Sequence, residues 1–187
     1  MLKISPDGRP LTHVTAPVFA NTLSLDGQPI VTQNGGYFIK GVADVAGNTR
    51  VVFPANPLGG QATTSELFVW QDGVITPVPD CEALGNLIRT AINDAGVIAA
   101  LAMPTGSAEQ LLLFKDGVRQ TVLTVGDALF DSTITDLGLG EINNGEQLTF
   151  SATLADGRTV TVLATPVPEP AAGLLALAAA ITLRRRR

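Results

Sequence analysis

The residues able to do chemistry are few. One histidine, His13, and one cysteine, Cys81, occur in 187 residues. A Ser-His-Asp or Cys-His site would have to use His13, and neither Ser5 nor Cys81 lies in a Gly-x-Ser-x-Gly nucleophile context. A zinc site fails on ligand count, because one His and one Cys do not supply it. His13 is therefore expected at the surface. Cys81 has no second cysteine to pair with and is expected to pack as a small buried hydrophobe. The sequence assigns no catalytic residue, no metal ligands and no cofactor.

Oxygen donors are the better chemical candidates. Asp127, Asp131, Asp136, Glu141, Asn143 and Asn144 fall in one short stretch, and hard carboxylate and carbonyl oxygens suit calcium. Their spacing matches neither an EF-hand loop nor the nonapeptide calcium repeats. Asp and Asn are also the residues that cap backbone groups in turns, and that is the expected role here. Trp70, beside Asp72-Gly73, is placed as a sugar-stacking platform or as core between repeats, and core packing is the expectation. Paired carboxylates for glycoside hydrolysis leave no catalytic signature.

The elements that must position these side chains are short strands. With 19 glycines and 12 prolines the chain is rich in turns. An Asn/Asp-rich step ending near glycine recurs at VADVAGNTRVVF, AINDAGVIAALA and EINNGEQLTFSA, with Gly47, Gly96 and Gly145 spaced 49 residues apart. A second marker follows each, at Asp72-Gly73, Asp116-Gly117 and Asp156-Gly157. Such pairs favour two-residue hairpins, because glycine accepts the positive φ the turn demands. In the middle unit the expected strands are 87–92, 97–103, 110–115 and 118–124. The unit around Gly145 is compressed to 147–154 and 159–164, with Thr149, Ser151 and Thr153 on a polar face opposite Leu148, Phe150, Ala152 and Leu154. Before residue 42 only the back half of another unit is expected: 17–25, the Asp26-Gly27 turn and 30–33. The fold class is all-β: tandem four-stranded antiparallel repeats of the β-propeller-blade kind.

The chain ends VPEPAAGLLALAAAITLRRRR. Pro168 and Pro170 stop helix and sheet alike and hold Glu169 in a stiff, extended segment. The 13 residues from Ala171 to Leu183 are apolar, glycine or threonine, about 20 Å of helix against the ~20 residues a full span needs. Arg184, Arg185, Arg186 and Arg187 form a basic stop that stays on the cytoplasmic side.

This order resembles the PEP-CTERM sorting signal of exported bacterial proteins, with the processing motif at Val167, Pro168, Glu169 and Pro170. The resemblance implies processing by an exosortase, a transient stay in the inner membrane through a helix of about 171–185, and delivery to the surface or extracellular matrix, where exopolysaccharide is a partner. Residues 17–165 resemble the tandem-repeat proteins that often carry this tail, a family that implies no known catalysis. The body, 1–165, is accordingly expected to be non-enzymatic, with glycan or calcium binding as the alternative, and 166–187 to be the sorting tail. Without the tail, eight basic residues face sixteen acidic ones, a net charge of −8 that repels phosphate backbones and disfavours nucleic acid. The first twenty residues lack an apolar signal-peptide core, so the expectation is a chain truncated at its N-terminus.

Overall fold

The computed structural model describes residues 2–16, 20–32, 36–47, 49–57, 65–82 and 84–166. These form seventeen strands and no helix: β1 Leu2–Ile4, β2 Pro10–Ala16, β3 Ala20–Leu25, β4 Gln28–Thr32, β5 Tyr37–Ile39, β6 Asp44–Val45, β7 Val51–Pro57, β8 Glu66–Gln71, β9 Val74–Pro77, β10 Asn86–Ile92, β11 Ile98–Met103, β12 Gln110–Lys115, β13 Val118–Thr124, β14 Ala128–Leu129, β15 Ser132–Ile142, β16 Leu148–Leu154 and β17 Thr159–Ala164. They make four antiparallel sheets: β1-β2-β3-β4, β5-β7-β8-β9 with β6 also on β7, β10-β11-β12-β13, and β14-β15-β16-β17. The all-β, blade-like architecture is as expected. The expected C-terminal helix, the Val167–Pro170 motif and Arg184–Arg187 lie outside the described residues. No helix among the described residues is long and apolar enough to cross a membrane.

Packing follows from the residue pattern. The two middle sheets are covered on both faces, and their second strands are apolar but for Asn56 of β7: β7 sends Val51, Phe53 and Ala55 toward the first sheet and Val52 toward the third. β11 does the same with Ala99 and Leu101 on one side and Ile98, Ala100 and Ala102 on the other. Its alanines let two sheets approach a third. The fourth sheet is covered on one face, and β16 alternates strictly, with Leu148, Phe150, Ala152 and Leu154 buried. Three hydrophobic clusters result, one per seam, and the first carries an aromatic group in which Tyr37 meets Phe68 edge-on at 4.9 Å.

The turns correct the expected repeat register. Ser5, Ala46, Asn93 and Asn143 each open a turn in which the first N–H donates to the fifth carbonyl and the fourth N–H returns to the first carbonyl. The fourth position is left-handed in every case, occupied by Gly8, Thr49, Gly96 and Glu146. The true intervals are therefore 41, 47 and 50 residues. The even 49-residue glycine spacing is coincidental, because Gly47, Gly96 and Gly145 stand at the second, fourth and third positions of their turns. What repeats is a backbone conformation, and glycine marks it only where glycine fills it.

Three further corrections follow. The N-terminal unit is not a back half: β1 and β2 complete a four-stranded sheet joined by the Ser5–Gly8 turn. Asp26-Gly27, Asp72-Gly73 and Asp116-Gly117 are two-residue hairpins with both φ positive. Asp156-Gly157 belongs instead to a turn opened by Leu154, with only Gly157 left-handed. The fourth sheet is completed on its other edge by β14, through the positive-φ pair Phe130-Asp131.

Candidate functional site

Each sheet sends one strand toward a common centre: β1, β6, β10 and β15. A cleft of about 300 Å³ opens there, walled by Lys3, Asp44, Ile92 and Glu141 and rimmed by the four turns through Pro6, Ala46, Asn93, Asp94, Asn143 and Asn144. Three of the four strands carry a charge two residues before their turn: Lys3, Asp44 and Glu141. In the third sheet that place is Ala91, and Arg89 supplies the charge one pleat further back.

Asp44 holds this centre together. Its side chain is 5% exposed. One oxygen accepts from the Lys3 ammonium of the first sheet and from the Val45 N–H; the other accepts from the Ile92 N–H of the third sheet at 2.8 Å. A buried carboxylate is stable only when paired and hydrogen-bonded, and this one is both. Lys3 also reaches Glu141 of the fourth sheet at 3.0 Å, and Arg89 reaches the same Glu141 oxygen at 3.5 Å. The cleft thus presents the Lys3 ammonium between the carboxylates of Asp44 and Glu141, with amides at its mouth. Such a surface suits a small polar solute carrying hydroxyl or charged groups.

The rim is stitched from turn to turn. Gly47 donates its N–H to Asp94 Oδ1 at 2.6 Å, and Asp94 donates its own N–H to Asn144 Oδ1 at 2.9 Å. Asn144 Nδ2 returns to Asp94 Oδ2 at 2.7 Å, and Asn93 Nδ2 donates to the Asn143 carbonyl at 2.9 Å. The second and third inner strands also touch directly: Val42 N–H donates to the Ile88 carbonyl, and Thr90 donates its N–H and hydroxyl to the Val42 carbonyl. Gly41, at φ +67°, is required for this approach, since a Cβ there would stand 2.5 Å from the Leu87 carbonyl oxygen.

The six oxygen donors singled out in the sequence separate. Glu141, Asn143 and Asn144 reach the cleft. Asp127 instead accepts from the Thr124 N–H at 2.8 Å, and Asp131 sits in the β14–β15 hairpin. Asn143 Oδ1 accepts from the Gly145 and Gln147 N–H groups, which is the expected turn-capping role. Among the described residues no group of three or more His, Cys, Asp or Glu side chains is placed to hold a metal ion. Trp70 packs against the core between the first two sheets, as expected. Cys81 is buried against the Leu67 backbone, and burial pushes its thiol pKa up.

His13 is a correction. It lies on β2 and is half-buried, and burial pushes its pKa down. Lys3, Asp44, Arg89 and Asp94 were not foreseen as site residues. For Lys3 and Asp44 the available signal was a charge two places before the turn, which the mistaken glycine register hides.

No protein-family model matches the chain, and no curated protein matches it. Among solved structures, one similar chain is described as a candidate gluconolactonase; it shares 12% identity at a TM-score of 0.42 over 88% of this chain. This chain spans 63% of that structure's length. The finding stands against the expectation that the body is non-enzymatic, because the similar chain is described as an enzyme, and that expectation is withdrawn. At this level of similarity it also lends the chain no activity.

Proposed function

We propose that the chain is an exported bacterial surface protein whose four-sheet body is cargo for an exosortase-type sorting enzyme. The observation that carries this reading is the order of the last residues: Val167, Pro168, Glu169 and Pro170, then the apolar run 171–183, then Arg184–Arg187. The last strand, β17, ends at Ala164, before the motif begins, and the exposed Thr165 and Pro166 line a groove with Lys115 and Val122. The apolar run holds the chain in the inner membrane during processing, and the arginines block full translocation. Exopolysaccharide is the partner awaiting the released body.

The test is a version supplied with a signal peptide, expressed in a host with active exosortase. Surface protein should lack Arg184–Arg187 by mass spectrometry, and Glu169→Ala should leave full-length chain in the membrane fraction. Intact C-terminal arginines on exported wild-type protein would overturn the proposal.

A second reading is favoured by the cleft: the body binds a small polar solute, such as a saccharide, between Lys3, Asp44, Glu141 and the amides of Asn143 and Asn144. Calorimetry with mono- and oligosaccharides tests it. Heats abolished by Glu141→Gln support it, and the absence of any heat at millimolar sugar refutes it.

A further inference from the structure

We propose that Asn144 is a site of spontaneous deamidation, and that its pairing with Asp94 makes the reaction a one-way opening of the turn-end seam between the third and fourth sheets. Asn144 is exposed and is followed by Gly145, whose lack of a side chain leaves its backbone nitrogen unshielded. The chemistry is intramolecular. The Gly145 nitrogen attacks Asn144 Cγ and loses its proton to solvent, and the side-chain amide leaves as ammonia. The resulting succinimide takes up water at either carbonyl to give aspartate or isoaspartate. Water is the only co-reactant, and nothing is oxidised or reduced.

The folded chain opposes the first step. Gly145 N–H is engaged by Asn143 Oδ1 at 2.9 Å. The Asn144 amide is held at both ends by Asp94, its Nδ2 on Oδ2 at 2.7 Å and its Oδ1 on the Asp94 N–H at 2.9 Å. The cross-sheet pair therefore controls the rate of a reaction within one turn.

Completion has the opposite effect. An aspartate at 144 sets a carboxylate against the Asp94 carboxylate where a donor stood, and like charges at that distance repel. An isoaspartate also lengthens the turn backbone, which disturbs the Asn143 N–H to Gln147 carbonyl bond and the Glu146 N–H to Asn143 carbonyl bond, each 3.0 Å. Once opened, the pair cannot re-form. Asp94, Asn143 and Asn144 also rim the central cleft, so the same event widens its mouth.

The experiment follows modification at Asn144 by peptide mapping of the full chain held at mildly alkaline pH, beside a free peptide of residues 141–147. The expected rate in the folded chain is several-fold below that of the peptide, and Asp94→Ala, which removes the acceptor of Asn144 Nδ2, should raise it toward the peptide value. Asn144→Asp should lower the unfolding midpoint, and Asp94→Asn combined with Asn144→Asp should recover most of the loss by restoring an amide–carboxylate pair. A folded-chain rate equal to the peptide's, an unchanged rate in Asp94→Ala, or an Asn144→Asp midpoint equal to wild type would each overturn the proposal.

Discussion

Replacing Asp44 with alanine tests whether the centre of the molecule is organised by one carboxylate. The substitution removes the acceptor of the Lys3 ammonium and of two backbone N–H groups, from Val45 and Ile92. Breaking a buried pair by deleting one partner costs about 3–5 kcal/mol, and a buried N–H left without an acceptor costs about 1–3 kcal/mol. These terms overlap, and Lys3 keeps Glu141 at 3.0 Å, so the lower part of the range applies: a loss of about 3–4 kcal/mol. For a chain of this length that lowers the thermal midpoint by about 10 °C. Glu141→Gln supplies the contrast. Glu141 is 57% exposed, and an exposed pair is worth ~1 kcal/mol or less and weakens with salt. Urea and thermal unfolding at low and high ionic strength read both quantities. If Asp44→Ala costs under about 1 kcal/mol, or loses its effect in high salt, the carboxylate does not join the inner strands and the reasoning fails.

Gly41→Ala should cost about 3 kcal/mol, combining a left-handed backbone with a clash against the Leu87 carbonyl, whereas Gly27→Ala at a similar φ with open space around it should cost about 1 kcal/mol; equal losses in chemical unfolding would refute the close seam. Thr49 is a β-branched residue at φ +64°, so Thr49→Gly should stabilise by about 0.5–1 kcal/mol, seen as a higher urea midpoint. His13 titrates below its ordinary 6.5 because burial disfavours the charged form, so the unfolded chain binds the proton more readily. Its contribution is therefore complete above pH ~6.5 and is lost as pH falls below that value. His13→Gln should flatten that part of the stability–pH curve between pH 7 and 5, and an unchanged curve would refute the assignment.

Strand positions were legible where periodicity and turn chemistry agreed. β12, β13 and β17 stand where the sequence places them, because Asp-Gly pairs and β-branched runs bound them unambiguously. The difference between one-sided and two-sided burial was also legible: LTFSATL alternates and IAALAM does not. The register of the repeats was not. Gly96 occupies the left-handed fourth position, yet Thr49 and Glu146 hold the same conformation in the flanking units, so counting glycines aligns the wrong atoms. β1 escaped notice because three residues carry no period, although Ser5-Pro6-Asp7-Gly8 is itself a turn signature. The cleft escaped for a related reason: Lys3, Asp44, Arg89 and Glu141 are isolated charges far apart in sequence, and only a correct register aligns three of them.

The second position of each turn explains why the seams are not equivalent. A side chain there accepts from the second-position N–H of the preceding turn: Asp94 from Gly47, and Asn144 from Asp94. Between the first and second sheets the same bond is impossible from both sides, since Pro6 has no N–H to give and Gly47 has no side chain to receive it. That seam relies instead on Lys3 reaching Asp44 and on the Tyr37–Phe53–Phe68 aromatic group. A seam held by apolar area and one buried ion pair resists modification chemistry, whereas one held by exposed amide–carboxylate pairs can be edited one atom at a time. The amide–carboxylate pairing that deamidation can undo therefore lies on the side of the fourth sheet and not on the side of the first.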